Sequence, residues 1–186
     1  MTFTGSTALS LLTTGSMTGV ADASAMTAAF TTTTAAGVAI TVTGGSGADV
    51  LTFGAADNVA QTLNGGAGND TLTAGAVVGE TTAITYAMNG GAGSDTIVTT
   101  SAVGDTSADG LDAIFNITSG TGIDFVTLGT DADISHDIII AESLTSDLVL
   151  IASGFESGNA AGDDDIDYNG ALLNDTATTV VVSGAT

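Results

Sequence analysis

The chain has 186 residues, enough for one domain, and is 44% hydrophobic but only 4% aromatic. It carries 21 acidic residues and no Lys or Arg, for a formal net charge of -21. That argues against nucleic acid and anionic membranes as partners, since both need basic groups on the protein; cysteine is absent, which excludes disulfides.

At the N-terminus, "MTFTGSTALSLLTTGSMTGV" has no positively charged segment and does not read as a cleaved secretory signal. No run of about 20 apolar residues follows, so membrane insertion through a helix is not expected. "TFTGSTALSLL" suits a strand. "MTGVADASAMTAAF" (Met17 to Phe30) suits a short helix with Asp22 or Ser24 near its start. Residues 1–36 lie outside the period that follows. They are expected to form an N-terminal cap over the first coil, or a segment for assembly with another subunit.

From residue 37 onward one phrase recurs. "GGSGADVLT" (Gly44 to Thr52), "GGAGNDTLT" (Gly65 to Thr73) and "GGAGSDTIV" (Gly90 to Val98) share the pattern G-G-x-G-x-D-x-U-x, with U a large aliphatic. A random chain of this composition would hold roughly 0.05 copies of GGxGxD, so three copies are not chance. "SGTGIDFVT" (Ser119 to Thr127) is a fourth copy, with Ser119 in place of the first Gly. "ESLTSDLVL" (Glu142 to Leu150) and "NGALLNDTAT" (Asn169 to Thr178) are worn copies. The motif aspartates then fall at Asp49, Asp70, Asp95, Asp124, Asp147 and Asp175, at intervals of 21, 25, 29, 23 and 28.

Short strand-like runs precede the turns: "AITVT" (Ala39 to Thr43), "AITYAMN" (Ala83 to Asn89), "AIFNIT" (Ala113 to Thr118) and "DIIIA" (Asp137 to Ala141). Others follow them: "VLT", "TLT", "TIV", "FVT" and "LVL". The unit is therefore strand, glycine turn, strand and return loop of variable length. One such unit cannot bury its own apolar face, whereas stacked units can. The expected fold is all-β: a right-handed parallel β-solenoid of about six coils over residues 37–186. The position-eight residues Leu51, Leu72, Ile97, Val126, Val149 and Ala177 would fill its core.

The acids are 18 Asp and three Glu (Glu80, Glu142 and Glu156). Self-repulsion of that size opposes compaction unless a cation is bound. His136, the only His, is mostly neutral at pH 7, so a divalent metal is the simplest source. Glycines at motif positions one, two and four allow positive φ and can turn carbonyl oxygens toward a common centre. The Asp at position six adds a carboxylate, and Ca²⁺ takes six to eight such oxygens.

The phrase resembles the glycine- and aspartate-rich nonapeptide of RTX proteins, which leave the cell by type I secretion and fold as calcium-loaded β-rolls. The resemblance is good over residues 39–128 and weak elsewhere. It implies several bound Ca²⁺ ions, with Asp49, Asp70, Asp95 and Asp124 as side-chain ligands. It also implies carbonyl ligands at Gly45, Gly47, Gly66, Gly68, Gly91, Gly93, Gly120 and Gly122. Asp147 and Asp175 are the corresponding candidates of the worn copies. The family repeats its nonapeptide back to back, whereas each coil here has one copy, so one metal edge should be regular and the other improvised. Asp57, Asp109, Asp112, Asp131 and Asp133 are candidates for that second edge, or simply solvated loop acids. The stretch 152–173, with Asp163, Asp164, Asp165 and Asp167, looks like the end of such proteins before an uncleaved export signal.

An enzyme is not expected: "SHD" at Ser135 to Asp137 holds triad residue types, but adjacent residues do not converge as a triad does. The expected function is a secreted, calcium-dependent structural protein. It would pair with copies of itself in an extracellular filament or surface layer. The alternatives are a monomeric calcium-binding adhesin or matrix module, and an ice-binding solenoid. For ice, position nine offers only the broken row Thr52, Thr73, Val98, Thr127, Leu150 and Thr178.

Overall fold

The structure, a computed structural model, describes residues 1–12, 19–54, 59–75, 84–99, 113–128, 136–141, 147–153, 166–168 and 179–183, the last four segments as strand backbone. Its strands come in pairs along the chain. They are β1 (Thr2–Gly5) and β2 (Leu9–Leu12), β3 (Gly19–Met26) and β4 (Phe30–Thr33), and β5 (Ile40–Thr43) and β6 (Val50–Thr52). Next come β7 (Gln61–Ala67) and β8 (Thr71–Ala74), β9 (Ile84–Ala92) and β10 (Thr96–Thr99), and β11 (Ala113–Thr121) and β12 (Ile123–Leu128). The last are β13 (His136–Ala141) and β14 (Asp147–Ser153), and β15 (Ile166–Tyr168) and β16 (Thr179–Ser183). Among the described residues there is no helix.

Odd-numbered strands form one eight-stranded sheet in chain order, and even-numbered strands form the other. Neighbours within each sheet run parallel. A chain that visits two parallel sheets alternately, advancing one strand in each per pass, is a β-solenoid. Eight strands per sheet do not confirm the expected six coils. The excess comes from residues 2–33, whose β1–β4 pair in parallel with one another and with β5 and β6. A separate N-terminal cap is likewise not confirmed, and the expected helix over Met17 to Phe30 is corrected: Gly19–Met26 is a strand. The alternation accounts for it. Ala21 and Ala23 are buried while Asp22 and Ser24 are not, the period of two that a strand imposes.

The core is a set of ranks, each holding one residue per coil. In the even sheet Thr32, Leu51, Leu72, Ile97 and Val126 lie in register and are buried. In the odd sheet the same holds for Ala21, Val42, Leu63, Met88 and Ile117. Burying each Leu stabilises the fold by about 1.5–3 kcal/mol. Phe30, Phe53 and Tyr86 are buried alongside these ranks, with the Phe53 and Tyr86 ring centroids 5.9 Å apart and Phe3 and Phe30 5.1 Å apart.

The even sheet's register also revises the worn motifs. Val126 pairs with Leu150, and Leu150 with Val180, so the register of the inner rank runs on through these two and Val149 instead pairs with the outward Phe125, while Ala177 lies outside the described residues. Outward, two ranks run side by side. One is Thr31, Val50, Thr71, Thr96 and Phe125; the other is Thr33, Thr52, Thr73, Val98 and Thr127.

Candidate metal centre

At each glycine corner the odd strand passes into the even strand, and the motif aspartate stands at the start of the even strand: just ahead of β6, β8 and β10, and as the second residue of β12. Val50, Thr71, Thr96 and Phe125 are in register, so the residues before them stack as Asp49, Asp70, Asp95 and Asp124. All four are turned inward, with no more than 1% of each exposed. One hydrogen bond repeats along the stack. Asp49 N–H donates to Asp70 Oδ1 at 2.8 Å, Asp70 N–H to Asp95 Oδ1 at 2.8 Å, and Asp95 N–H to Asp124 Oδ1 at 2.9 Å. Below them, Phe30 N–H donates to Asp49 Oδ1 at 2.7 Å. Each carboxylate thus satisfies a buried N–H of the coil before it.

The column has apolar ends. Phe30 occupies its position one coil earlier, and Leu148 pairs with Asp124 one coil later. Asp147, expected in this ladder, instead pairs with Ile123 and is one residue out of phase. Asp175 lies outside the described residues, as do Asp57, Asp109, Asp112, Asp131, Asp133, Asp163, Asp164 and Asp165. Asp167 lies in β15 and His136 opens β13.

The second carboxylate oxygen differs between rungs. Asp49 Oδ2 accepts the Gly45 N–H at 2.6 Å. Asp70 Oδ2 and Asp95 Oδ2 are buried and have no hydrogen-bond partner. Burial pushes the carboxyls of Asp49, Asp70 and Asp95 up, against the lowering effect of the backbone N–H bonds. Asp70, with the charges of Asp49 and Asp95 also against it, is pushed up to about 7.

The first glycine of each motif makes room for these oxygens. A Cβ on Gly44 would strike Asp49 Oδ2 and the Gly65 carbonyl oxygen. One on Gly65 would strike Asp70 Oδ2 and the Gly90 carbonyl, and one on Gly90 would strike Asp95 Oδ2 and the Ser119 carbonyl. Each missing methyl therefore leaves a space flanked by a carboxylate oxygen and the carbonyl of the next coil. Oxygens that close to one point are within reach of a single ion. The position-one residues Gly44, Gly65, Gly90 and Ser119 were not among the expected ligands. Their signal in the sequence was that they precede the expected carbonyl donors in every copy.

The expected donors at positions two and four have another geometry. Gly66, Gly68, Gly91, Gly93, Gly120 and Gly122 all have positive φ, whereas Gly45 and Gly47 do not. A Cβ on Gly91 would meet the Gly66 carbonyl, and one on Gly93 the Gly68 carbonyl. These carbonyls point along the stack at the glycine above, not toward a shared centre. The Gly45 carbonyl also accepts the Ala67 N–H at 2.8 Å. Among the described residues no three His, Asp or Glu side chains gather at one point.

The test for a metal is whether orphaned oxygen donors exist where an ion could reach them, and at Asp70 and Asp95 they do. The set is made of carboxylates and carbonyls, hard oxygen donors of the kind that suit Ca²⁺. No family model matches the chain, and no characterised protein or solved structure is detectably similar to it.

Proposed function

We propose that the chain is a secreted, calcium-binding structural protein of the RTX kind that assembles with copies of itself outside the cell, in a filament or surface layer. One observation carries the calcium reading: two inward carboxylate oxygens, of Asp70 and Asp95, are buried without a hydrogen-bond partner beside carbonyls of the next coil. A bound cation would neutralise that column and offset part of a chain charge of -21. Asp49, Asp70, Asp95 and Asp124 would hold it, with the Gly65, Gly90 and Ser119 carbonyls. Assembly is supported by the two parallel sheets, whose end strands β1, β2, β15 and β16 can be extended by strand addition. Export from the cell rests on the motif's resemblance alone.

The ice-binding alternative has an observation of its own. The outward face of the even sheet carries two adjacent ranks rather than one, seven of ten residues being Thr and none charged over β4 to β12. Strand geometry spaces them about 4.8 Å between coils and about 6.6 Å along a strand. Val50 and Phe125, both exposed, interrupt that lattice, which ranks this reading second.

The test is calorimetric titration of the intact chain with Ca²⁺, together with circular dichroism, sedimentation and negative-stain microscopy with and without EGTA. The proposal expects several ions per chain, loss of strand signal on chelation, and calcium-dependent polymers. Unchanged dichroism and no heat of binding would remove the calcium reading. Binding by a species that stays monomeric would favour the adhesin or matrix module.

A further inference from the structure

The two outward ranks of the even sheet do not end at β12. Their register positions run on to Val149 and Thr179 in one and to Ile151 and Val181 in the other. Over the seven strands from β4 to β16 neither rank holds a charged residue. The acids among the described residues stand elsewhere. Asp49, Asp70, Asp95 and Asp124 are buried in the column, and Asp22, Asp137 and Asp167 belong to the odd sheet. Asp147 opens β14 in register with Ile123, ahead of both ranks. The face is apolar as well as neutral. Val50 and Phe125 are 40% and 43% exposed in it, and Ile123, two residues ahead of Phe125, is 49% exposed. Residues that interrupt a lattice suited to ice are the anchors an apolar contact would use.

What covers the face follows from charge. A basic partner would be drawn to the acids of the odd sheet. A second copy is repelled wherever acids stand, because the chain has no Lys or Arg to answer them. The even face is where that repulsion is least. Its residues also suit contact with their own kind: β-branched Thr and Val have little rotamer freedom to lose, and Thr hydroxyls can pair with each other.

We propose that two copies of the chain pair through their even sheets, face to face around a two-fold axis, as the sheets of a β-sandwich pack. Seven strands about 4.8 Å apart, each about 13 Å long, give a face of roughly 450 Å² per copy. One pair then buries on the order of 900 Å², short of the roughly 1,200 Å² at which specific interfaces become stable. An isolated pair is therefore weak. In an end-to-end filament, which rests on the self-assembly reading above, the face runs on from copy to copy, and two filaments reach a stable area within a few subunits. A two-fold contact uses up the face, and the odd sheet, with Asp22, Asp137 and Asp167, offers no second one. The assembly is therefore a fibre of two filaments rather than an open layer.

The experiment compares the intact chain with Thr73→Asp and Thr43→Asp in Ca²⁺, by mass per length in electron microscopy and by sedimentation equilibrium. Each change adds one acid at a half-buried strand position, Thr73 on the even sheet and Thr43 on the odd. The parent and Thr43→Asp are expected to give fibres two filaments wide. Thr73→Asp is expected to give single filaments, and to raise the dissociation constant of the isolated pair at least about tenfold. Circular dichroism checks the fold. Should Thr73→Asp lose its strands, Phe125→Thr decides in its place: it installs the residue its own rank holds at Thr71 and Thr96, and is expected to weaken pairing by removing an anchor. Single filaments from the parent would overturn the pairing and leave the assembly reading standing. So would double filaments from Thr73→Asp, or pairing lost equally in Thr43→Asp. A parent that forms no filament, yet dimerises at high concentration through a contact that Thr73→Asp weakens, would overturn end-to-end assembly and keep the face. A parent that stays monomeric at every concentration overturns both.

Discussion

Two buried columns stand two residues apart along the even strands. One is Leu51, Leu72, Ile97 and Val126; the other is Asp49, Asp70, Asp95 and Asp124. They share register, burial and coil spacing, and differ only in chemistry. The aliphatic column is non-directional: any side chain that fills the space contributes, and the sequence uses Leu, Ile, Val and, at the start, Thr32. The acidic column is directional, because each Oδ1 must meet one N–H of the coil before. It keeps Asp in all four rungs, and where phase is lost, at Asp147, the column gives way to Leu148. Hydrophobic ranks stack the coils, and the carboxylates hold them at one height relative to each other.

Substitutions in neighbouring rungs separate these roles. The largest effect is expected from Leu72→Ala, which opens a cavity in a fully buried site and should cost about 2–5 kcal/mol, with or without calcium. Chemical denaturation measures it, and dependence on calcium would show that the two columns are not separable. Asp70→Ala leaves the Asp49 N–H buried without its acceptor, at about 1–3 kcal/mol, and should also weaken calcium binding and assembly.

Asp70→Asn separates hydrogen bonding from charge, since Asn keeps the acceptor but not the charge. The sign follows from the pKa of Asp70, about 7 when folded against about 3.9 unfolded. Its contribution to the metal-free fold is fully present below about pH 4 and is lost as pH rises through about 7. In EGTA the parent's melting temperature should therefore fall between pH 5 and pH 8, and Asp70→Asn should flatten that fall and be more stable at pH 8 by on the order of 1 kcal/mol. In calcium the order should reverse, because the ion needs an ionised ligand. The same order in both conditions would mean that the column holds no metal. The smallest effect is expected from Asp22→Ala. That carboxylate's hydrogen bonds are local, to the Ser24 side chain and N–H, and its loss should stay within about 0.5 kcal/mol in a thermal melt. A loss equal to that of Asp70→Ala would refute the special place of the column.

The corner was legible in the sequence because its demands are local. Gly65 has to leave room for Asp70 Oδ2, five residues on, so the requirement repeats as a fixed phrase. The inner rank was legible for as long as it followed that phrase, from Leu51 to Val126. Beyond it, "DLVLIAS" over β14 is apolar at successive positions, and a continuous run carries no period-two signal to set the phase. That is why Val149 was preferred to Leu150. Strand β3 was misread for a related reason. "ADASA" offers only alanine as its inward residue, and alanine favours a helix in isolation. Only pairing with β5 decides the matter. The inward turn of the aspartates was hidden for want of direction: the spacing puts a carboxylate at each corner but does not say which side of the chain it faces.

The hydrogen bonds from the Phe30, Asp49, Asp70 and Asp95 N–H groups to the following coil's carboxylate give the column an arrow. Within the column each coil is finished by its successor. A chain synthesised from the N-terminus therefore has all of these coils closed but the newest, and the unfinished one sits at the growing end. Deletions should then be unequal by direction. Coils removed from the C-terminal side expose a fresh N–H that had an acceptor, while coils removed from the N-terminal side expose a carboxylate oxygen, which water solvates well. Such a solenoid should tolerate shortening from its beginning better than from its end.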